Sequence, residues 1–196
     1  MIRLYKQAFS LFLFLSLLTG VLYPLALTGI AQVGFHERAN GSILLQDGVP
    51  AGSALIGQAF TDDRYFWGRP SATAGSPYNA YDGQALTGSS GSNLGPLSKA
   101  LVERVQARVY ELHSADPGNR LPVPLDLVTA SASGLDPHIS PEAAYYQVQR
   151  IASLRGLDAA VVKALVDESI EYPLPYFLGS PHVNVLVLNM ALDGIQ

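Results

Sequence analysis

The chain has 196 residues and no cysteine, which excludes disulfides, zinc thiolates, thiol catalysis and a lipoprotein anchor together. Its 12 Lys/Arg against 16 Asp/Glu give a formal charge of −4, and no basic patch recommends nucleic acid as a partner. Arg3 and Lys6 precede the first acid, Glu37, so everything beyond residue 35 is mildly acidic.

Residues 7–35 carry no charged side chain, and 8–30 are almost wholly apolar. That is long enough to cross a bilayer as one helix. A secretory signal also has a basic start and an apolar core, and Gly29-Ile30-Ala31 before Gln32 has the look of a small-residue cleavage site. A signal's apolar core runs about 7–15 residues, however, and the run from Phe9 to Ile30 outlasts it, so length favours a retained anchor. A buried core helix fits less well, because apolar residues occupy every face. Pro24 falls in the last third of the span, where a kink is tolerable once a neighbouring helix or water satisfies the freed carbonyl, and Ser16, Thr19 and Gly20 would let another helix approach closely. Arg3 and Lys6 place the N-terminus in the cytoplasm. The expected organisation is a membrane anchor over residues 1–34 and one extracytoplasmic globular domain over 35–196, its 13 prolines and 18 glycines implying long ordered loops.

In that domain Asn40-Gly41 and Asp47-Gly48 are turn dipeptides that suit a short hairpin. Residues 53–60 read as a strand, with Ala54, Ile56 and Gln58 at its alternating positions. From 65 to 96 periodicity disappears, and a loop of that length in a compact domain points to function or an interface. Asn93 or Gly95 is positioned to cap a helix with Pro96 in its first turn, Leu97, Leu101, Val105 and Val109 facing inward and Glu103, Arg104, Gln106 and Arg108 facing water. Residues 126–132 are ambiguous between a strand and one helical turn. Ser140-Pro141-Glu142 starts a second helix with Ala144, Val148, Ile151 and Leu154 on its core face, ending at Gly156. Asp158 caps a third carrying Val161, Val162, Leu165, Val166 and Ile170. Residues 183–188 read as a closing strand, followed by a turn over 189–193. The fold class is α+β: a single N-terminal transmembrane helix, then one extracytoplasmic α/β domain with a small sheet, a helical hairpin and long ordered loops.

The glycine-serine run 88–95 ahead of a helix has the ingredients of an anion site, but a P-loop needs a Lys beside Ser or Thr after its last glycine, and Gly95 is followed by Pro96-Leu97. A turn-rich structural loop is the plainer reading. Asp136-Pro137-His138 among Ser131, Ser133 and Ser140 invites a Ser-His-Asp hypothesis, yet no G-x-S-x-G elbow occurs. An Asp before Pro commonly initiates a turn. The four histidines, 36, 113, 138 and 182, have no ligand spacing, so no metal site is expected. Arg69, Asn79, Asn93, Arg150 and Arg155 are charged or amide groups set among glycines and prolines, as where backbone geometry itself is used.

Phe66-x-Gly68-Arg69-Pro70-Ser71-Ala72, Pro77-Tyr78-Asn79, Ser90-Gly91-Ser92-Asn93-Leu94-Gly95-Pro96, Asp126-Leu127-Val128-Thr129-Ala130-Ser131, Gly134-Leu135-Asp136-Pro137-His138-Ile139-Ser140-Pro141 and Val183-Asn184-Val185-Leu186 closely resemble the C subunit of the Kdp potassium-transporting P-type ATPase, over the whole chain. Ser89-Ser90-Gly91 stands where the family pattern is the more glycine-rich Ser-Gly-Gly. The resemblance implies a non-catalytic subunit of a high-affinity potassium uptake complex in the bacterial inner membrane. Its partners would be a channel-like potassium-binding subunit, a separate ATP-hydrolysing subunit and the lipid bilayer. It implies no catalytic residue, no metal and no cofactor of its own. The family is described as a catalytic chaperone that raises the pump subunit's affinity for ATP, so ATP would enter through that subunit, with Ser90, Gly91, Asn93 and Gly95 as the nucleotide-loop candidates. Gly68, Arg69, Pro70, Ser71, Asn79, Asp136, His138, Ser140, Arg150 and Arg155 are the partner-contact or structural candidates. The topology opposes direct nucleotide contact, because ATP is cytoplasmic and the loop is expected outside. A cap over the external potassium entrance fits better, and a membrane-anchored periplasmic hydrolase using His138 and a nearby serine is the alternative.

Overall fold

A computed structural model of the chain describes residues 1–73, 75–79, 81–82 and 87–195; the parts of the expected irregular stretch at 74, 80 and 83–86 lie outside the described residues. The chain divides into two compact units, Met1–Ile43 and Leu44–Gln196.

The first unit is one long helix followed by a single turn. Helix α1 (Ile2–Leu17), a π-helical turn (Leu18–Leu22) and α2 (Tyr23–Gly34) run continuously, giving a 33-residue apolar helix with none of its most apolar window buried. At 1.5 Å per residue it measures about 50 Å, against a hydrocarbon core of about 30 Å. A π turn stands just before Pro24. Pro24 has no N–H to return to the carbonyl one turn back, and the ladder widens over the residues just before it. Thr19 Oγ1 donates to the Leu15 carbonyl at 2.8 Å, so its hydroxyl is satisfied inside the helix. The short helix α3 (His36–Ala39) follows, and Asn40 closes it by donating to the His36 carbonyl at 2.7 Å.

Next, β1 (Ile43–Gln46) and β2 (Val49–Ser53) form a two-stranded sheet. The residues between them, Asp47 and Gly48, have φ of 52° and 79°, as a tight hairpin turn requires. The strand expected over 53–60 is therefore displaced: β2 pairs upstream of it, and the chain turns at once, with Ile56 N bonded to the Ser53 carbonyl. Short strands β3 (Tyr81–Asp82) and β4 (Thr87–Gly88) pair antiparallel. Helix α4 (Lys99–Ala115) starts three residues later than expected, with Ser98 at its N-cap. Ser98 N bonds back to the Gly95 carbonyl at 2.9 Å, so Pro96 serves a turn instead of the helix. Leu97 is 98% exposed, and Leu112 is the one buried residue of α4.

Residues Leu125–Leu127 form a 3-10 turn, and β5 (His138–Ile139) leads into α5 (Pro141–Arg155). Ser140 caps α5 as expected, accepting from Ala143 N at 3.1 Å, and Gly156 ends it in the left-handed conformation. Leu154, assigned to its core face, is half exposed. Asp158 caps α6 (Ala159–Glu168), which buries Val162 and Val166; Ile170 belongs instead to β6 (Ile170–Glu171). After a second 3-10 turn (Tyr176–Leu178) comes β7 (His182–Asn184). Here the expected strand over 183–188 is overturned, because Asn184 accepts from the N–H groups of Leu186 and Val187 and so starts α7 (Val185–Asp193). Side-chain capping and burial of Leu188 and Leu192 outweigh the β-propensity of two valines.

The sheet β5-β7-β6 is antiparallel, with Ile139 opposite Val183 and Ile170 opposite Val183 on the other side. The core is a contiguous cluster that includes Ile139, Ala143, Ile151, Val162, Val166, Val183 and Leu188. Phe66 is fully buried in the same cluster, so the long loop is sewn into the core at its start.

Candidate functional site

Two buried amides hold the beginning of that loop. Asn189 of α7 accepts from Phe66 N at 2.9 Å and donates to Phe66 O at 3.0 Å. Gln147 of α5 does the same for Trp67, at 2.8 and 3.1 Å. Each side chain thus replaces a neighbouring strand for one residue, which is how an irregular backbone is buried without orphaned polar groups. Arg150 and Arg108 lie 4.7 and 4.8 Å from the Trp67 ring. Arg150 is almost wholly buried, donates to the carbonyls of Asp63 and Tyr65 and to Gln147, and its pKa is driven down to about 10, first by burial. Arg155 bonds the Arg64 carbonyl at 2.9 Å and the Asp193 carboxylate at 2.7 Å, over the Tyr65 ring.

The motif that follows ties three loops together. Arg69 donates to the Thr129 and Ala130 carbonyls at 3.4 and 3.3 Å and pairs with Asp136 at 3.2 Å. Tyr78 donates to the Arg69 carbonyl at 2.6 Å, and burial raises its pKa to about 12. A Cβ on Gly68 would lie only 2.7 Å from this hydroxyl. Ser71 Oγ donates to the Gly134 carbonyl at 2.7 Å and accepts from Tyr78 N at 2.9 Å. Asn79 accepts from Tyr81 N and its own N–H reaches Thr73 Oγ1. Pro70 sits between Arg69 and Ser71 in the wall of the cleft described below.

Ser90 joins the same braid: its N–H bonds the Ser133 carbonyl at 2.8 Å and its hydroxyl the Ala72 carbonyl at 3.0 Å. Gly91 has ordinary φ, but a Cβ there would lie 2.8 Å from the Ala132 carbonyl oxygen, whereas one on Gly95 would meet nothing. Asn93 takes the positive φ, 51°. These four nucleotide-loop candidates precede α4 by several residues, with the Gly95–Ser98 turn between.

Asp136 accepts from His138 N at 3.0 Å and lies 3.4 Å from its Nδ1. Burial pushes the Asp136 carboxyl up, but the hydrogen bonds from His138 and the charge of Arg69 outweigh it, leaving the pKa below the usual carboxylate range. Ionised Asp136 therefore contributes stability that is present above the ordinary carboxylate pKa and lost as pH falls through the lower folded value. Asp136→Asn should lower stability at pH 7 by about 1–2 kcal/mol, with the gap to wild type closing in acid; pH-dependent denaturation checks this, and a gap that persists at low pH would assign the loss to packing.

No serine hydroxyl bonds His138 among the described residues; Ser131 Oγ accepts from Gly134 N, Ser133 Oγ from Leu135 N and Ser140 Oγ from Ala143 N. His138 instead meets the His182 ring edge-on at 4.4 Å. Among the described residues no group of three His, Cys, Asp or Glu could hold a metal.

Sequence reasoning missed Gln147, Asn189 and Arg108. The first carried a trace: Gln147 and Arg150 sit at i, i+3 on the face that also bears Ala143, Ala144 and Ile151, and polar groups on a core face need partners. Arg108, assigned to water, donates to the Leu127 carbonyl at 3.1 Å and the Gly68 carbonyl at 3.4 Å.

A family model described as K+-transporting ATPase, c chain (KdpC) matches residues 5–194. The chain belongs to the KdpC family. A KdpC subunit of a potassium-transporting ATPase from Dechloromonas aromatica is 57% identical over 193 residues, 98% of each chain. One from Polaromonas naphthalenivorans is 56% identical over 97% of this chain and 94% of its own, and one from Methylococcus capsulatus is 53% identical over the full length of both.

Proposed function

We propose that the chain is the non-catalytic accessory subunit of an ATP-driven potassium uptake complex. The carrying observation is the match to KdpC subunits over nearly the whole length of each, anchor included. In this reading the apolar helix crosses the inner membrane once with Arg3 and Lys6 in the cytoplasm, supported by the positive-inside bias. Residues 35–196 stand outside and dock on the channel-like potassium-conducting subunit, while a separate subunit hydrolyses ATP. Any gain in ATP affinity is transmitted through that subunit, because Ser90 is bonded to the backbone of neighbouring loops and the 90–95 loop, in this topology, lies outside the nucleotide's compartment.

A single cysteine at exposed Ser76 in this cysteine-free chain tests the topology. It should react with a membrane-impermeant maleimide in intact spheroplasts, and tagged wild-type chain should bring two larger subunits through purification. Labelling only after lysis, or purification of the chain alone, would overturn the reading. Calorimetric titration of the full-length chain in detergent with ATP should show no saturable heat; saturable binding would restore direct nucleotide contact.

A further inference from the structure

A cleft of about 480 Å³ lies between α4 and the loops around Gly68 and Tyr78, within the size range of ligand sites. Its charged lining is Arg69, Arg104, Arg108 and Glu111. Leu101, Arg104, Ala107, Arg108 and Glu111 recur at helical spacing, so one face of α4 forms a whole wall. Two of the three guanidiniums are already matched. Arg69 meets Asp136 at 3.2 Å, and Arg108 meets Glu111 at 3.0 Å. Arg104 is exposed and has no hydrogen-bond or ion-pair partner among the described residues. The cleft thus holds one uncompensated positive charge in a part of the chain where acids outnumber bases.

We propose that this cleft receives a carboxylate side chain from an acidic peptide segment of another subunit of the complex. The inference rests on the accessory-subunit reading above and adds the surface and its chemistry. The charge count decides between anions: a single free guanidinium, with the spare N–H donors of Arg69 and Arg108, matches one carboxylate, whereas a nucleotide polyphosphate would leave several negative charges unmet. Beside the guanidiniums the wall is apolar, with Phe60, Pro70, Leu94 and Leu101, which suits the side chains flanking an acidic residue better than a polar lipid headgroup.

Arg104→Glu tests it in the assembled complex. Because Arg104 is exposed, the variant keeps the wild-type melting temperature, while recovery of the larger subunits falls about ten-fold, a loss of about 1.4 kcal/mol of association. Arg104→Lys, which keeps the charge, retains most of the recovery. Arg120→Glu, the same charge change at an exposed position outside the cleft, leaves recovery unchanged. A cysteine at Ala107, labelled by maleimide in the free chain, is protected in the complex. Full recovery with Arg104→Glu, equal losses from Arg120→Glu, or unprotected Ala107→Cys would overturn the proposal. So would protection of Ala107→Cys by phosphatidylglycerol vesicles alone, which would give the site to a headgroup. If wild-type chain brings no larger subunit at all, the accessory-subunit reading fails instead.

Discussion

Gln147→Ala is expected to destabilise the chain by about 3 kcal/mol or more, because each buried polar group left without a partner costs about 1–3 kcal/mol. The substitution strips both backbone groups of Trp67 of their partners and removes an acceptor from buried Arg150. For a unit of this size that corresponds to a melting temperature lower by about 10 °C. Gln149→Ala, on the exposed side of the same helix, should change it by less than about 0.5 kcal/mol. Thermal and denaturant unfolding of the full chain in one detergent compare the two. Near-equal stabilities would mean that the Phe66-Trp67 backbone does not depend on its amide clamp. Asn189→Ala should resemble Gln147→Ala, since it serves Phe66 in the same way.

The second large effect separates two glycines of one motif. Gly91→Val places carbon 2.8 Å from the Ala132 carbonyl oxygen, a backbone atom that cannot swing aside, while Gly95→Val enters open space at an ordinary φ. Gly91→Val should therefore cost about 2–3 kcal/mol through forced backbone displacement, pull the 89–91 strand of the braid from 131–134, and lower assembly with the larger subunits. Gly95→Val should stay within about 1 kcal/mol of wild type and assemble normally. Equal and small effects would contradict the close approach; equal and large ones would point to a requirement on Gly95 made only in the complex.

The sequence was legible where local chemistry decides structure. Ser140 and Asp158 capped the helices they were expected to cap, Gly156 ended one of them, Asp47-Gly48 turned the hairpin, and the apolar helix followed from length. It misled where strand pairing or a helix cap overrides the apparent β pattern. Alternation over 53–60 looked like a strand, but the available partner strand lies opposite 49–53. Val183 to Leu188, with its three valines, read as a strand, but Asn184 near its start caps a helix. The braid was legible only as a set of loops rich in Arg, Ser, Gly and Pro. Which carbonyl Arg69 reaches, or that Gln147 and Asn189 reach back some 80 and 123 residues, depends on packing of α5 and α7 that periodicity does not encode. Arg104 was legible as exposed, though its neighbours across the cleft were not.

The chain has a single tryptophan, and it is Trp67, nearly buried, its indole N–H on the Asp62 carbonyl and its ring beside Arg108 and Arg150. Indole emission therefore comes from one position, outside the apolar helix and undiluted by any other chromophore of its kind. Since Arg108 touches both this ring and the cleft, fluorescence intensity and colour become an optical gauge of whatever enters there. With excitation beyond the tyrosine band, unfolding of residues 44–196 can likewise be followed in lipid or detergent without Tyr5 and Tyr23 of the helix contributing light.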